Sequence, residues 1–543
     1  MHLPGVKPLF LVGYSLLRAT LTTTTTTTAY PQQLPFLPPS TTHFRSDSHL
    51  TNKPLKVAII GGGPAGTSAG FFLSQFANAS GNPVEIEIFE RSDYLGGRSN
   101  IIYPFDSSDY PSVEAGASIF VSANKHLHQA VRQFNLSLET FHTDGSSENY
   151  AIWDGTEFAF ESSRSSWWDT IKLFWRYGRA PLQLNALSKR NLDQFQAIYS
   201  KDFVALGPFE ELQQWALATG FDHLLSTTGS DYLINEEGIN VQAVNELVAI
   251  MARTNYGQDI CVIHGLGAMV SMAGSDGRSV QGGNRQIFQQ FAKQSRAKLN
   301  FNHQITAISE LEVSDQGRSQ YVLSYHHHPH QQLSSRRTTG DSEPFDAVIL
   351  AAPYDQAAVT VLTSEAPVQV PHQPFVHLHV SFVVTNATAP SGELFDRPPD
   401  QFMARSIYST MMRNVIGKGK RPLFNSLNYL KNLGPKEGVI GDMYIVKIFS
   451  EAPLPTNTLA KLFGSVQNLL WIKRIKWDAY PILAPLVPPS KYPPTKLGDK
   501  LYYVNGFENL ISTMETQTLA SWNIAMSLSK DVWNYVPQKS WAH

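Results

Sequence analysis

The chain reads Val57-Ala58-Ile59-Ile60-Gly61-Gly62-Gly63-Pro64-Ala65-Gly66 at the point where its globular part begins. The first four residues form the short apolar run that is typical of a buried parallel strand. The glycines at 61, 63 and 66 match the pattern G-x-G-x-x-G, in which they allow a tight turn, close approach of a pyrophosphate and packing of the next helix. The pattern predicts a dinucleotide-binding turn followed by a helix from Ala65 to about Ala77.

The residues after this helix complete a βαβ unit of about 35 residues. The turn at Ser80-Gly81-Asn82-Pro83 is followed by alternating apolar and acidic residues from Val84 to Glu90, which predict a second strand. An acidic residue at the end of such a strand accepts hydrogen bonds from a ribose, and the helix N-terminus faces the phosphates. The candidate cofactor-binding residues in this unit are Gly61, Gly63, Pro64, Ala65, Gly66, Glu90 and Arg91.

Composition excludes several classes of protein. With 42% hydrophobic and 16% charged residues, the 543-residue chain has the composition of a globular protein and not of a disordered one. The formal net charge is −2, so nucleic-acid binding through a basic surface is not expected. The single cysteine, Cys261, excludes an internal disulfide and Cys-based zinc motifs, and we expect it to be a buried small residue.

The first 52 residues resemble a secretory leader and a linker. An apolar run from Leu9 to Leu17 lies behind Lys7, and it is shorter than the 20 or so residues that span a membrane. Threonines from 22 to 28 and a Pro/Ser/Thr-rich stretch up to Ser48 predict an unfolded linker. The leader predicts entry into the secretory pathway, with the vacuole or lysosome as the expected destination and secretion as the alternative. Glycosylation sequons begin at Asn78, Asn135 and Asn386.

Separated motifs favour FAD over NAD as the dinucleotide. Leu95-Gly96-Gly97-Arg98 and Glu114-Ala115-Gly116-Ala117 resemble the second fingerprint of flavoproteins of the amine-oxidase group and the segment after it. Leu501 to Glu508 resembles the strand and turn that close the flavin site there, and a helix is predicted from about Thr513. Non-covalent FAD is expected, because Cys261 lies in the predicted helical insertion and not near that closing segment. The resemblance adds the candidates Gly97, Arg98, Glu114, Gly116, Ile305, Gly506, Glu508 and Met514.

Further distinctive strings are Lys172–Gly178, Arg253–Gln258, Gln281–Asn284, Val446–Ser450, Trp477–Pro481 and Met514-Glu515. Together they resemble one family closely, the prenylcysteine oxidases or lyases, and the resemblance extends from about Lys53 to about Trp533. The threonine-rich leader and a His-rich stretch depart from the family, and Gln281 stands where an acidic residue is expected.

The resemblance implies an FAD enzyme that cleaves the thioether of farnesyl- or geranylgeranyl-cysteine to cysteine, a prenyl aldehyde and hydrogen peroxide. Its implied partners are the prenylcysteine and oxygen, with no metal. Such a reaction depends on positioning and solvent exclusion, so no catalytic residue is assigned from the sequence. Arg176 and Arg253 are candidates for binding the substrate carboxylate, although structural ion pairs are the expected role of both.

Aromatic residues between 167 and 177 allow three interpretations. They could form the core of a helix, line the pocket for the prenyl chain, or contact a membrane surface as a peripheral anchor. The residues are Trp167, Trp168, Phe174, Trp175 and Tyr177.

Two other functions use the same scaffold. A flavin amine or polyamine oxidase would oxidise amines in place of thioethers, and a prenyl-binding escort resembling the Rab GDP-dissociation inhibitors would need no flavin.

A nucleophile-elbow pattern, Gly66-Thr67-Ser68-Ala69-Gly70, lies inside the predicted dinucleotide helix and is not expected to act as a serine hydrolase site. The stretch from His326 to His330 is predicted to be a solvated loop and not a metal site.

The predicted architecture is α/β, with a Rossmann-like FAD-binding domain on the amine-oxidase/GDI-like scaffold and an inserted substrate domain of helices plus sheet. The FAD domain is expected to be discontinuous and to comprise residues 53–125, 280–365 and 496–543. A mostly helical region with few strands is expected at 126–279, and a second part of the substrate domain at 366–495. Residues 1–52 precede the folded part.

Overall fold

The computed structural model describes residues 53–140, 149–163, 166–274, 277–311, 319–327, 338–364, 369–411, 419–487 and 492–542. The predicted leader, threonine run and linker over residues 1–52 lie outside these ranges.

A six-stranded, mostly parallel sheet contains the predicted βαβ unit. Its order is β20-β21-β13-β1-β2-β9, and only the β20–β21 pair is antiparallel among the described strands. The four residues from Val57 to Ile60 are buried and pair on both sides, as a continuous apolar run requires. The strands are β1 (Leu55–Ile60), β2 (Val84–Glu90), β9 (Lys298–Phe301), β13 (Ala347–Leu350), β20 (Lys496–Gly498) and β21 (Leu501–Tyr503).

Three long helices cover one face of this sheet. Helix α1 (Pro64–Ser80) crosses from β1 to β2, and α12 (Arg285–Ser295) and α15 (Met514–Trp533) pack against it. Helix α1 begins at Pro64, as expected from the fixed φ of proline, and ends at Gly81 in the left-handed conformation. Ser68 is fully buried within α1, which agrees with the expectation that the nucleophile-elbow pattern is not a hydrolase site.

A second, four-stranded sheet of order β12-β11-β10-β14 lies next to the first. The expected solvated loop is wrong for its first part, because His326 and His327 belong to β11 and pair with β10 and β12. His328 to His330 lie outside the described residues. The strands are β10 (His303–Leu311), β11 (Gln320–His327), β12 (Thr338–Asp341) and β14 (Thr360–Leu362).

A third sheet, of order β19-β15-β18-β17-β16-β6-β7, is antiparallel except where β16 pairs with β6. The scarcity of strands predicted for residues 126–279 is therefore partly wrong, since β6 and β7 come from that region and complete a sheet whose other strands come from 375–481. The strands are β6 (Tyr150–Trp153), β7 (Phe158–Glu161), β15 (Phe375–Thr385), β16 (Ser406–Ser409), β17 (Ser426–Pro435), β18 (Asp442–Ser450) and β19 (Leu469–Pro481).

The remaining strands form two small ribbons, and most remaining helices lie between residues 166 and 272. The ribbons pair β3 (Ile101–Ile102) with β4 (Val113–Glu114), and β5 (Leu138–Thr140) with β8 (Arg278–Val280). The other α-helices are α2 (Lys125–Gln133), α3 (Ser166–Tyr177), α4 (Ala180–Gln196), α5 (Lys201–Leu206), α6 (Leu212–Thr219), α7 (Asp222–Ser226), α8 (Gly229–Asp231), α9 (Val241–Ala243), α10 (Ala249–Tyr256), α11 (Gly265–Met272), α13 (Tyr354–Ala357) and α14 (Thr456–Leu462). Turns of π-helix, Tyr232–Glu236 and Val244–Val248, extend α8 and α9, and short 3-10 helices span Pro104–Asp106, Ala197–Tyr199, Gly392–Phe395, Val466–Asn468 and Asn505–Asn509.

Two expectations about single residues are tested by exposure. Cys261 is exposed, so its expected burial is wrong: it lies in the turn between α10 and α11, where the polypeptide runs along the surface. Asn78 and Asn135 are exposed, whereas the Nδ2 of Asn386 donates to the carbonyl oxygen of Ile440 at 3.2 Å. The first two sequons are therefore the more accessible.

Within the described ranges, no helix is long and apolar enough to cross a membrane. Over the same ranges, no cluster of three or more His, Cys, Asp or Glu side chains has the arrangement of a metal site.

Candidate functional site

A long cavity of about 530 Å³ begins at the carboxyl end of β1, where ligands bind in open α/β sheets. It extends from the end of β2, past the β1–α1 turn, to the N-terminus of α15. Eleven of the predicted cofactor-binding residues line it: Gly61, Gly63, Pro64, Ala65, Glu90, Arg91, Gly97, Arg98, Gly116, Ile305 and Met514.

The glycine turn is shaped by backbone contacts that side chains would prevent. Gly61 has φ +110°, and a Cβ there would lie 2.5 Å from the carbonyl oxygen of Ala351. A Cβ on Gly66 would lie 1.9 Å from the carbonyl oxygen of Gly61, so this glycine permits α1 to pack on the turn although it does not line the cavity. A Cβ on Gly63 would meet no protein atom closer than 3.7 Å, so Gly63 leaves space on the cavity side.

The α1 N-terminus borders this space and offers backbone donors to an anion. Gly63 caps the helix without a side-chain hydrogen bond, so the first-turn N–H groups are not occupied by a capping side chain. This is the arrangement that binds a pyrophosphate.

Glu90 ends β2 at one end of the cavity. Its Oε2 accepts a hydrogen bond from the Gly62 N–H at 2.7 Å, and its Oε1 accepts one from the Ser92 N–H at 2.8 Å. These two bonds fix the carboxylate next to the turn, and each oxygen keeps a lone pair for a ribose hydroxyl. Arg91, next to it, donates to the Gln356 carbonyl oxygen at 3.4 Å.

Arg98 and Glu508, both predicted to bind the cofactor, form an ion pair with each other. The Arg98 guanidinium donates to the Glu508 carboxylate and, at 2.9 Å, to the Ala479 carbonyl oxygen. Arg98 lines the cavity, whereas Glu508 is buried behind it. Gly506 and Glu114 also lie outside the cavity lining.

Four buried polar atoms on the cavity wall have no hydrogen-bond partner among the described residues. They are Ser99 Oγ, Trp477 Nε1, Asn505 Oδ1 and Gln517 Nε2. Buried polar groups without partners are costly, so this hydroxyl group, these two N–H donors and this carbonyl acceptor indicate a polar ligand. An isoalloxazine ring system, with carbonyl oxygens, ring nitrogens and one N–H, supplies complementary atoms, and the cavity residues therefore fit FAD.

The N-terminus of α15 closes the far end of the cavity, and this helix begins where the sequence predicts it. Thr513 caps this helix, with its side chain accepting from the Thr516 N–H at 3.1 Å. Thr513 and Met514 line the cavity, and the partial positive charge of the helix N-terminus is directed toward a bound group there.

A second cavity, of about 300 Å³, adjoins the first and is mainly apolar. Its apolar lining comes largely from α4, α10 and α11, and includes Leu192, Phe195, Met251, Leu266, Met269 and Val270. The two cavities share seven lining residues: Gly116, Ala117, Phe449, Tyr480, Ser512, Thr513 and Met514. A group bound in the first cavity can therefore contact a group bound in the second at this junction.

Lys447 is the one cationic side chain among the described residues that line the second cavity. Its Nζ donates to the Glu114 carbonyl oxygen at 2.9 Å and lies 3.3 Å from Ser118 Oγ. Burial lowers the pKa of Lys447 to about 8, and the charge of Glu114 opposes this shift. The sequence analysis did not identify Lys447 as a site residue. A lysine inside the mainly apolar strand segment from Met443 to Phe449 does, however, indicate a buried charge with a specific role.

Two buried carboxyl groups support this region. Glu515 accepts hydrogen bonds from the N–H groups of His126 at 2.8 Å and Leu127 at 3.0 Å, which joins α15 to α2. Glu114 accepts from the Asn284 N–H at 2.6 Å. Burial raises the pKa of each carboxyl to about 7.

The arginines considered for the substrate carboxylate form structural ion pairs, as expected. Arg176 binds Glu246, with Nε–Oε2 and Nη2–Oε1 distances of 2.6 and 2.7 Å. The fully buried Arg253 donates to Asp259 at 2.8 Å and to Asn425. Neither arginine lines a described cavity.

Comparison with known proteins relates this arrangement to one group of enzymes. A family model described as prenylcysteine lyase matches residues 160–539, and one described as an NAD(P)-binding Rossmann-like domain matches residues 59–134. The chain is 30% identical to farnesylcysteine lyase of Arabidopsis thaliana over 533 residues, which cover 95% of this chain and 94% of the relative. It is 28% identical to prenylcysteine oxidase 1 of Homo sapiens over 507 residues, which cover 90% and 91% of the two chains.

Solved structures of two amine oxidases share the fold. Cyclohexylamine oxidase from Brevibacterium oxydans IH-35A has a TM-score of 0.53 at 13% identity, covering 88% of this chain and all of its own. Putrescine oxidase bound to putrescine also has a TM-score of 0.53 at 13% identity, with 88% and 99% of the two chains covered. These likenesses and the three sheets confirm the predicted α/β fold with a Rossmann-like domain.

Proposed function

Since the chain belongs to the prenylcysteine lyase family, we propose that it is an FAD-dependent oxidoreductase that cleaves the thioether of farnesyl- or geranylgeranyl-cysteine. The products are cysteine, a prenyl aldehyde and hydrogen peroxide. The observation that carries this proposal is the junction of two unlike cavities, one fitted to a flavin and the other apolar with one cation.

Bound FAD supplies a two-electron acceptor for the hydride of the allylic carbon beside sulfur, and oxygen finally receives both electrons as hydrogen peroxide. Water adds to the oxidised carbon and gives the aldehyde oxygen, and the carbon–sulfur bond breaks to release the thiol. The sum of the reaction is prenylcysteine, oxygen and water in, and aldehyde, cysteine and hydrogen peroxide out.

The apolar side chains of the second cavity bind and orient the prenyl chain. Burial of the chain contributes about 0.8 kcal/mol for each CH₂ group removed from water. Phe195, Leu266, Met269 and other apolar side chains surround this space and exclude bulk solvent from it. The prenyl chain is thereby held with its thioether end toward the junction, where the reacting carbon meets the first cavity.

Lys447 is suited to bind the carboxylate of the cysteine. It lies two residues before Phe449 on β18, so both side chains are on one face of the strand, and its Nζ is 4.7 Å from the centre of the Phe449 ring. Phe449 is at the junction, and a similar length separates the reacting carbon of the substrate from its carboxylate. An ammonium group holding the carboxylate would therefore place the carbon–sulfur bond at the junction.

The same cation disfavours the amine-oxidase alternative. An amine substrate is a cation at neutral pH, and a second positive charge in a mainly apolar cavity repels it. The likeness to amine oxidases, at 13% identity, concerns the fold alone. The escort alternative needs no flavin and leaves Trp477, Asn505 and Gln517 without ligands for their buried polar atoms.

Several finer features belong to the same proposal. FAD is bound non-covalently, in agreement with the position of Cys261 outside the cavity lining. Oxygen is the electron acceptor, no metal takes part, and the protein contacts a membrane peripherally.

The FAD domain comprises residues 53–125, 280–365 and 496–543, which contribute all strands of the six-stranded sheet, and the substrate domain comprises 126–279 and 366–495.

The proposed location is the secretory pathway, with the vacuole or lysosome as the destination and secretion as the alternative. The exposed sequons at Asn78 and Asn135 support glycosylation during this passage.

The test is the visible spectrum of the purified full chain before and after anaerobic addition of farnesylcysteine. The expected result is a yellow protein that bleaches on addition and recovers with release of peroxide when air enters. Bleaching by amines and not by farnesylcysteine would favour the amine oxidase. A colourless protein that cannot be reconstituted with FAD would leave the escort function.

A further inference from the structure

Helix α3 turns its aromatic side chains outward. Trp167, Trp168, Phe174 and Trp175 are 63%, 54%, 57% and 83% exposed, which excludes both the helix core and the cavity lining as their place. Trp168, Phe174 and Trp175 follow Trp167 by one, seven and eight residues, and this spacing places all four side chains on one side of the helix. Exposed large apolar residues are normal singly, but a contiguous patch of this kind marks an interaction surface.

The opposite side of α3 is fixed to the protein, so the helix cannot rotate to bury these rings. Leu173 and Tyr177 are buried, and the Tyr177 hydroxyl donates to Glu246 Oε2 at 2.7 Å. Arg176 binds the same carboxylate through two nitrogens. The outward orientation of the aromatic residues is therefore built into the packing of the helix.

The segment that carries these rings is basic, unlike the chain as a whole. Residues 166–196, which form α3 and α4, contain five cationic residues and two acidic ones, Asp169 and Asp193, in a chain with a net charge of −2. Arg179 and Lys189 are exposed and form no ion pair with any residue in the described ranges. The cationic residues are Lys172, Arg176, Arg179, Lys189 and Arg190.

From these observations we infer that α3 is a peripheral membrane anchor that inserts its aromatic face into the headgroup region of an anionic lipid bilayer. Tryptophan is the residue that favours this interface, because its ring is apolar and its N–H remains hydrated. Lysine and arginine beside an apolar helix face add attraction to anionic lipids. A second copy of the chain is the less suitable occupant, since two such basic faces repel each other.

The position of the anchor also agrees with the proposed function. Only the argument of this paragraph depends on that function, and the membrane anchor itself does not. Helix α4 follows α3 directly, and its residues Ser188, Leu192 and Phe195 line the apolar cavity. Leu182, near the start of α4, is also exposed. A prenylcysteine partitions into lipid, so an anchor next to the cavity would bring the enzyme to the phase that holds its substrate.

The test is flotation of the full-length protein with vesicles of phosphatidylcholine, with and without about 30% phosphatidylserine. Wild-type protein is expected to float with the anionic vesicles and to release as the salt concentration rises. The double variant Trp167→Ser/Trp175→Ser is expected to lose about tenfold or more in vesicle affinity. The charge variant Arg179→Glu/Lys189→Glu is expected to bind anionic vesicles less and neutral ones unchanged.

The matched control is Ile440→Ser, which changes an 89% exposed apolar residue in the turn between β17 and β18 and is expected to bind like wild type. Thermal unfolding and flavin content monitor folding of all variants, and vesicle binding is read without any enzymatic assay. Failure to float, or equal flotation of wild type and both double variants, would overturn the anchor. Self-association that is lost in the tryptophan variant, without vesicle binding, would assign this face to a second copy.

Discussion

The guanidinium of Arg98 forms an ion pair with the carboxylate of Glu508, which lies 410 residues further along the chain. Arg98 follows the Gly96-Gly97 pair on one wall of the flavin-fitted cavity, and Glu508 lies in the turn that precedes α15. The pair therefore joins the first and last segments of the cavity wall. Glu508 is 1% exposed, so its charge depends on this partner and on Asn505.

Glu508→Ala is predicted to destabilise the protein and weaken FAD binding together, because it leaves the Arg98 charge without its carboxylate. We expect a loss of about 1.5–3 kcal/mol in the free energy of unfolding. Thermal unfolding and the flavin absorbance per protein measure the two effects. As a control, Lys298→Ala breaks an exposed pair with Glu87 at 3.0 Å and should cost less than about 1 kcal/mol. Full flavin content in Glu508→Ala would show that the Arg98–Glu508 ion pair is not needed for FAD binding.

A second prediction separates two glycines of the same turn. Gly63→Ala is expected to fold, since its Cβ would meet no protein atom within 3.7 Å, but to bind FAD poorly because the methyl group enters the cavity. Gly66→Ala is expected to lose the folded protein, since its Cβ would lie 1.9 Å from the Gly61 carbonyl oxygen. Circular dichroism and flavin absorbance distinguish the two results. The idea is wrong if Gly63→Ala retains the flavin at wild-type affinity.

The sequence predicts those parts of this protein that depend on neighbours in the chain. The first strand, its glycine turn, the second strand and the start of α15 are local patterns, and each occurs where it is predicted. The contact of Arg98 with Glu508 depends on how distant segments fold together, and so does the place of β6 and β7 in the third sheet. Such long-range pairings are not encoded in periodicity.

The sequence also does not determine whether a given side chain is exposed, lines a cavity or lies behind its wall. Helical spacing shows that Trp167, Trp168, Phe174 and Trp175 share a face, but not that this face points outward. Lys447 is placed in the cavity by the pairing of β18 with β15 and β17, which a single strand pattern cannot indicate. Glu114 was predicted to contact the cofactor, yet its carboxyl group lies behind the cavity wall and binds the Asn284 N–H.

Glu114 leads to a prediction about pH and stability. Its folded pKa of about 7 lies above the ordinary value of 4.5, so the folded state binds more protons between these values. The contribution of Glu114 to stability is therefore full below pH 4.5 and is lost as the pH rises toward 7. Glu114→Gln resembles the protonated acid, so it should match wild type at pH 4.5 and be more stable at pH 8 by on the order of 2 kcal/mol.

Urea unfolding at both pH values measures this difference. Glu393→Gln, at an exposed carboxyl group in the 3-10 helix Gly392–Phe395, is the control and should differ from wild type equally at both. Equal stability of Glu114→Gln and wild type at pH 8 would show that the carboxylate of Glu114 is not penalised by burial.

The last prediction concerns the cation at the junction of the two cavities. If Lys447 binds the substrate carboxylate, Lys447→Met removes a charge-assisted hydrogen bond worth about 1.5–3 kcal/mol. The KM for farnesylcysteine should then rise about 10- to 100-fold. S-Farnesylcysteamine, which lacks the carboxylate, is the matched substrate, and the variant should use it about as well as wild type does.

The pH profile gives an independent reading of the same group. Because burial lowers the pKa of Lys447 to about 8, its ammonium form is lost as the pH rises through that value. In wild type, kcat/KM for farnesylcysteine should therefore fall above about pH 8, and this decline should be absent in Lys447→Met. Flavin absorbance of the variant should remain normal, since Lys447 lines the second cavity and not the first. An equal loss of activity on both substrates would instead assign Lys447 to holding the Glu114 segment in place, through its 2.9 Å hydrogen bond.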